Sequence, residues 1–159
     1  MNSQNTTIDT YILFNLGDTR FAISSFVVKQ LDIVESVTRV PGAPSYVEGI
    51  VFSRGMVIPV VNLRLRLGME YREPDIRTRM IIVKSNNRHI GLIVDSARDF
   101  IHLPAESILP PPENIAGLSG NYLAGVTQVK DKMVLVLNVN ALLEDKEVDK
   151  ETVENNKTE

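Results

Sequence analysis

The chain repeats itself. Residues Tyr11–Ala43 moved forward by 69 positions fall on Met80–Pro112, and Tyr46–Leu67 moved forward by 76 fall on Tyr122–Leu143. In the second overlay Tyr46 meets Tyr122, Gly49 meets Gly125, Val60 meets Val136 and Asn62 meets Asn138. In the first, Ile12 meets Ile81, Lys29 meets Arg98 and Val40-Pro41 meets Leu109-Pro110. The difference between the two offsets sits in 113–121, so one insertion separates the copies. Two diverged copies predict two similar lobes with a cleft between them. Neither copy carries a reaction centre, which points to a binding module.

Turn residues divide the copies into short strands, the pattern of small barrels or a sandwich. Gly17-Asp18-Thr19 joins Tyr11–Leu16 to Arg20–Ile23, and Asn86-Asn87 joins Met80–Lys84 to His89–Val94. Lys130-Asp131-Lys132 joins Tyr122–Val129 to Met133–Asn138. Further strands are predicted at Ile33–Val40, Met56–Val61 and Asp95–Leu103. Pro59 lacks an N–H to donate, so it belongs at an edge, a bulge or a barrel corner. Short helices are predicted at Ser24–Leu31, Ser45–Phe52 and Val139–Glu144. The expected class is therefore all-β with short helices. Pro110-Pro111-Pro112 stiffens the connection between the lobes.

At 159 residues the chain is one compact unit, or two small lobes sharing a core. It contains no cysteine, so it has no disulfide, thiolate nucleophile or cysteine-bound metal. The beginning lacks the basic-then-apolar pattern of a secretory signal, and no apolar run approaches a membrane span. The net charge is −3, and Glu144–Glu159, with seven acids and three lysines, carries −4 of it. That composition predicts a solvated, disordered terminus over 146–159. The remainder is nearly neutral and its aromatics are not interleaved with arginines, which argues against nucleic acid as a partner.

Catalytic chemistry has little to stand on. His89 and His102 are isolated, and no zinc-binding spacing is present. Asp95 and Asp99, placed on one strand face, stand about 13 Å apart, too far to share a metal or a proton. No glycine-rich phosphate loop occurs, and Gly117-Leu118-Ser119-Gly120 reads as a flexible loop. The expectation is no enzyme activity and no cofactor.

The most distinctive stretch is Tyr46-Val47-Glu48-Gly49-Ile50-Val51-Phe52-Ser53-Arg54-Gly55, followed by Met56–Arg64. With Gly91–Asp95, Ile108–Pro112, Tyr122–Val126 and Met133–Leu143, it resembles the CheW-like domain of bacterial chemotaxis. The resemblance implies two small SH3-like β-barrels packed around a shared core. They would form one domain over 11–145, with copies at 11–67 and 80–143 and tails at 1–10 and 146–159. It implies a cytoplasmic, non-catalytic scaffold without direct membrane insertion, recruited to receptor arrays at the inner face of the membrane. There it would bridge methyl-accepting chemoreceptor tips to the regulatory domain of the histidine kinase CheA. The length leaves no room for a fused receiver or kinase module, so a stand-alone coupler is expected.

By motif match the receptor-facing surface includes Val28, Gln30, Leu31, Gly49 and Arg54, with Gly55, Pro59 and Arg64 in the same motif. Val28 and Leu31 would supply apolar area, Gly49 a close backbone approach, and Arg54 the organisation of the groove. Three positions depart from the family pattern. Phe52-Ser53-Arg54-Gly55 stands where the family reads Asn-Leu-Arg-Gly, Gln30 where an acid is common, and Asn62 where aspartate is usual. These departures raise an alternative, an adaptor for a pilus- or gliding-type receptor–kinase array.

Overall fold

A computed structural model describes residues 7–112 and 122–144. The insertion at 113–121, the 117–120 loop and most of both predicted tails lie outside the described residues. Copy one contributes β1 (Ile8–Leu16), β2 (Thr19–Ser24), β3 (Val28–Ile33), β4 (Val47–Ser53), β5 (Met56–Asn62) and α1 (Leu63–Arg66). Copy two contributes β6 (Arg79–Ser85), β7 (Arg88–Val94), β8 (Ser96–Pro104), β9 (Leu123–Val129), β10 (Lys132–Leu137) and α2 (Val139–Leu143).

The lobes are not the copies. One five-stranded sheet runs β8-β1-β2-β10-β9 and the other β3-β6-β7-β5-β4. Each therefore joins the opening hairpin of one copy to the last three strands of the other. The joins obey the repeat. Parallel β2·β10 pairs Ala22 with Val136, and parallel β7·β5 pairs Gly91 with Val60 at the equivalent positions.

Strict alternation along the central strands explains why their apolar runs are unbroken. In β6, Ile81 and Val83 enter the large shared core, while Met80 and Ile82 fill a smaller core with Ile58 and Val60. In β10, Leu135 and Leu137 meet the shared core, while Val134 and Val136 join Leu13 and Ala22. Both faces of these strands are buried, as expected where two small barrels pack together.

Among the described residues four hairpins close on two-residue turns. Arg54-Gly55, Asn86-Asn87 and Lys130-Asp131 all have positive φ at both positions, the twist that suits a tight hairpin. Gly17-Asp18 makes the fourth, with Gly17 at φ 60°.

Three predicted elements change. Ser24–Leu31 is not helical. Ser24 caps a 3-10 turn at Ser25–Val27 by accepting from the Phe26 N–H, and the chain then enters β3 to pair with β6. Ile33–Val40 is not a strand, because β6 begins at Arg79, opposite Ile33, and offers no further backbone. Ser45–Phe52 is mostly β4 rather than helix, drawn out by pairing with β5. Pairing over several residues outweighs weak local helix preference. The helix at Leu63–Arg66 was not expected. Asn62 caps it by accepting from the Leu65 N–H, as Asn138 caps α2 by accepting from Ala141.

Pro59 lies inside β5 without loss. Its partner Ile50 exchanges both backbone bonds with Thr38, so the Ile50–Pro59 pair is a non-bonded one. Pairing of β5 with β7 begins only at Val60.

Candidate functional site

β3 alternates. Val28, Gln30 and Asp32 are half-buried, while Lys29, Leu31 and Ile33 face outward. A groove of about 540 Å³ runs between this outward face and the β4–β5 hairpin, lined by Leu31, Ile33, Val51, Phe52 and Met80. Asp32 and Glu35 give it an acidic rim. Phe52 is 75% exposed, Ile33 66% and Val57 61%, a concentration of apolar surface beside one hairpin tip.

Arg54 sits at that tip with φ 49°, in the left-handed region unfavourable for a residue with a Cβ. Gly55 follows at φ 80°, and nothing lies within 4 Å of where its Cβ would stand. Its part is conformational: it lets the turn close.

Gly49 permits a close approach. Thr38 exchanges backbone bonds of 2.9 and 2.8 Å with Ile50, carrying the 34–46 segment across β4. A Cβ at Gly49 would stand 2.0 Å from the Thr38 carbonyl oxygen. Gly125 does the same in the other copy, where a Cβ would stand 2.7 Å from the Leu109 oxygen.

The structure thus brings Leu31 together with the Phe52–Gly55 tip and separates the others. Val28 packs against the shared core. The Gln30 side-chain amide donates to Asp32, so an acid stands two residues along the same face of β3. Arg64 is committed elsewhere. Its Nε and Nη2 donate to the two Asp95 carboxylate oxygens at 2.8 and 2.5 Å, and its Nη1 to the Glu70 carbonyl at 3.1 Å. Its side chain is only 13% exposed.

Asp95 joins the lobes and was not singled out as a binding residue. It also accepts from the Gly17 N–H at 2.6 Å, linking the β1–β2 turn to α1. Burial pushes its carboxyl up, but hydrogen bonds from Arg64 and Gly17 and the charges of Arg64 and Arg72 outweigh that. The result lies below the ordinary 3.8. The hydrogen bond to Asp95 in turn raises the Arg64 guanidinium further above its ordinary value.

The exposed apolar surface of Ile33, Phe52 and Val57 was also missed; reading Ser24–Leu31 as helix hid the two-residue alternation that points Ile33 outward beside Leu31, which the motif match had named. Among the described residues no group of three or more histidine, cysteine, aspartate or glutamate side chains is placed to hold a metal. His102 shares a hydrogen bond of 3.0 Å with the Thr10 hydroxyl across β1 and β8.

Comparison with known proteins agrees with this architecture. Residues 10–147 match the CheW-like domain. The chain is 28% identical to chemotaxis protein CheW of Klebsiella aerogenes, over 87% of this chain and 83% of that protein. It is 27% identical to protein FrzA of Myxococcus xanthus, over 84% of each. The crystal structure of the scaffolding protein TtCheW from Thermoanaerobacter tengcongensis superposes with a TM-score of 0.81. That likeness is at 30% identity and covers 87% of this chain and 94% of that one. It fits the two SH3-like subdomains seen here, and the relatives support a non-catalytic adaptor role in chemotaxis. By the extent of the domain match and the agreement of fold, the chain belongs to the CheW-like domain family.

Proposed function

We propose that this protein is a non-catalytic scaffold that couples methyl-accepting chemoreceptors to the histidine kinase CheA. The observation that carries the reading is the apolar surface of Leu31, Ile33 and Phe52 beside Arg54. It combines a groove with exposed large side chains and an arginine fork, a composition suited to protein contact. Leu31, Arg54 and Gly55 are the receptor-facing part; Gly49, buried beneath the 34–46 crossing, supports it by letting Thr38 approach β4, and Gln30 holds the acid of β3 in place. Val28 and Arg64 support that surface through the core and the Asp95 pair. The kinase contact falls to CheA's regulatory domain, itself CheW-like, which suits pseudo-symmetric pairing with a two-barrel partner. The working location is the cytoplasm, at receptor arrays; among the described residues no helix is long and apolar enough to cross a membrane.

The test is sedimentation of receptor cytoplasmic fragments with the kinase, with and without this protein. Kinase in the pellet only when the protein is present, with raised autophosphorylation, supports coupling. Receptor binding without kinase recruitment defeats it while leaving the fold intact. The likeness to FrzA is compatible with a second reading, an adaptor of the same build for a pilus- or gliding-type array. Acceptance of only that array's receptor tips in the same assay selects it.

A further inference from the structure

The open end of the β8-β1-β2-β10-β9 sheet carries a cluster of cations. Two adjoining cavities of about 320 and 570 Å³ share Asn15 and Arg20 as a common wall. Arg77 and Arg98 line the first, and Lys132 lines the second. Asp99 and Asp18 offset part of this charge. Among the described residues, the ion pairs engage Arg64 and Arg72 and none of these four cations. The joined cavities make an elongated, net-positive groove rather than a pocket for one ion.

The chain itself contains a segment of matching chemistry. Beyond Glu144, acids alternate at Asp145, Glu147, Asp149 and Glu151. A helix would turn Asp145 and Asp149 to one side and Glu147 and Glu151 to the other. An extended backbone instead sets all four carboxylates on one side, about 6.6 Å apart.

Reach decides which copy supplies the segment. The Glu144 carboxylate accepts from the Asn86 side chain, at the turn that opens β7. The groove lies past the other end of β7, where the Asp95 N–H donates to the Asn15 carbonyl at 3.1 Å. Seven strand residues cover about 23 Å, and an extended chain spans at most about 3.6 Å per residue. A tail therefore uses about seven residues, the whole alternating stretch, in reaching its own groove. The tail of a second copy has no such tether.

We infer that the alternating acidic stretch of one copy docks, extended, in the arginine groove of another. The contact is heterologous, held by charge and independent of receptor coupling. Because the chain has no cysteine, Thr152→Cys gives a single site for a nitroxide. Unlabelled-isotope protein carrying the nitroxide is mixed with nitrogen-15 protein lacking it, so any broadening is between copies. The expected result is selective loss of amide signal at Asn15, Arg20, Ser96 and Arg98. The signal should return at about 1 M salt, where the screening length is about 3 Å. It should also return when the nitrogen-15 copy carries Arg98→Glu with Lys132→Glu, both exposed positions, its amide dispersion confirming the fold. No broadening, broadening elsewhere, or broadening indifferent to salt or to the charge reversal overturns the inference.

Discussion

Tyr46 and Tyr122, equivalent residues of the two copies, close on one guanidinium: Arg66 lies 5.1 Å from the first ring centroid and 4.9 Å from the second. Their carbonyls make matching bonds, accepting from Asn62 at 2.7 Å and Asn138 at 2.8 Å. Arg66 itself breaks the symmetry. Its repeat counterpart is Leu142, whose carbonyl accepts from Arg66 at 3.0 Å. One cation thus serves both halves at their junction.

Arg66→Ala should lower stability by about 2 kcal/mol, since it removes two ring contacts and hydrogen bonds to the Tyr122 hydroxyl and the Leu142 carbonyl. Arg66→Lys should recover only part, because a lysine lacks the planar fork. Urea midpoints of the three proteins measure this; an unchanged midpoint for the alanine variant refutes it.

Asp95→Asn should cost about 2 kcal/mol at neutral pH, less than a fully buried pair because both side chains retain some exposure. Folding depresses the Asp95 carboxyl below 3.8, so its contribution is complete well above that pH. It is lost as pH falls from there through the folded value. The gap between wild type and variant in urea unfolding should therefore narrow on acidification. A constant gap would assign the loss to packing alone.

Gly49→Ala combines a φ of 145° with a Cβ placed 2.0 Å from the Thr38 oxygen. The crossing of 34–46 over β4 must shift, at a cost of about 3 kcal/mol. The readout is the thermal midpoint together with the amide shifts of Thr38 and Ile50. Wild-type shifts in the variant would contradict the clash.

Asn62→Asp keeps the cap on α1 but loses the bond its amide donates to Glu48 at 2.8 Å, setting two carboxylates together. We expect a loss of about 1 kcal/mol that Glu48→Gln largely restores, because a glutamine amide can donate to the new carboxylate. Additive effects of the two changes in denaturation would show that the side chains do not interact.

Arg54→Gly should raise stability by up to about 1 kcal/mol by relieving the left-handed turn residue. On the proposed function it should also reduce receptor-dependent kinase activation, as should Arg54→Glu with little change in fold. Full activation in either variant would remove Arg54 from the partner surface.

Much of this was legible in the chain itself. The repeat and the hairpin turns pointed to an all-β chain of two similar lobes, small barrels or a sandwich, because turn chemistry and β-branched content are local properties; the pair of barrels came from the family resemblance. The equivalence of Asn62 and Asn138 even contained α1, since a helix predicted after Asn138 in one copy implies a helix after Asn62 in the other. Tertiary structure alone decided which strands share a sheet. The hairpin β1–β2 completes the barrel of β8–β10, and β6–β7 that of β3–β5. No residue pattern within either copy encodes that exchange, because each hairpin buries the same two faces in either arrangement. The same nonlocal pairing turned Leu31 and Ile33 outward beside Phe52 and brought Arg64 to Asp95. A sequence lists which side chains alternate; only the ladder that captures a strand fixes its phase, and so which side faces water.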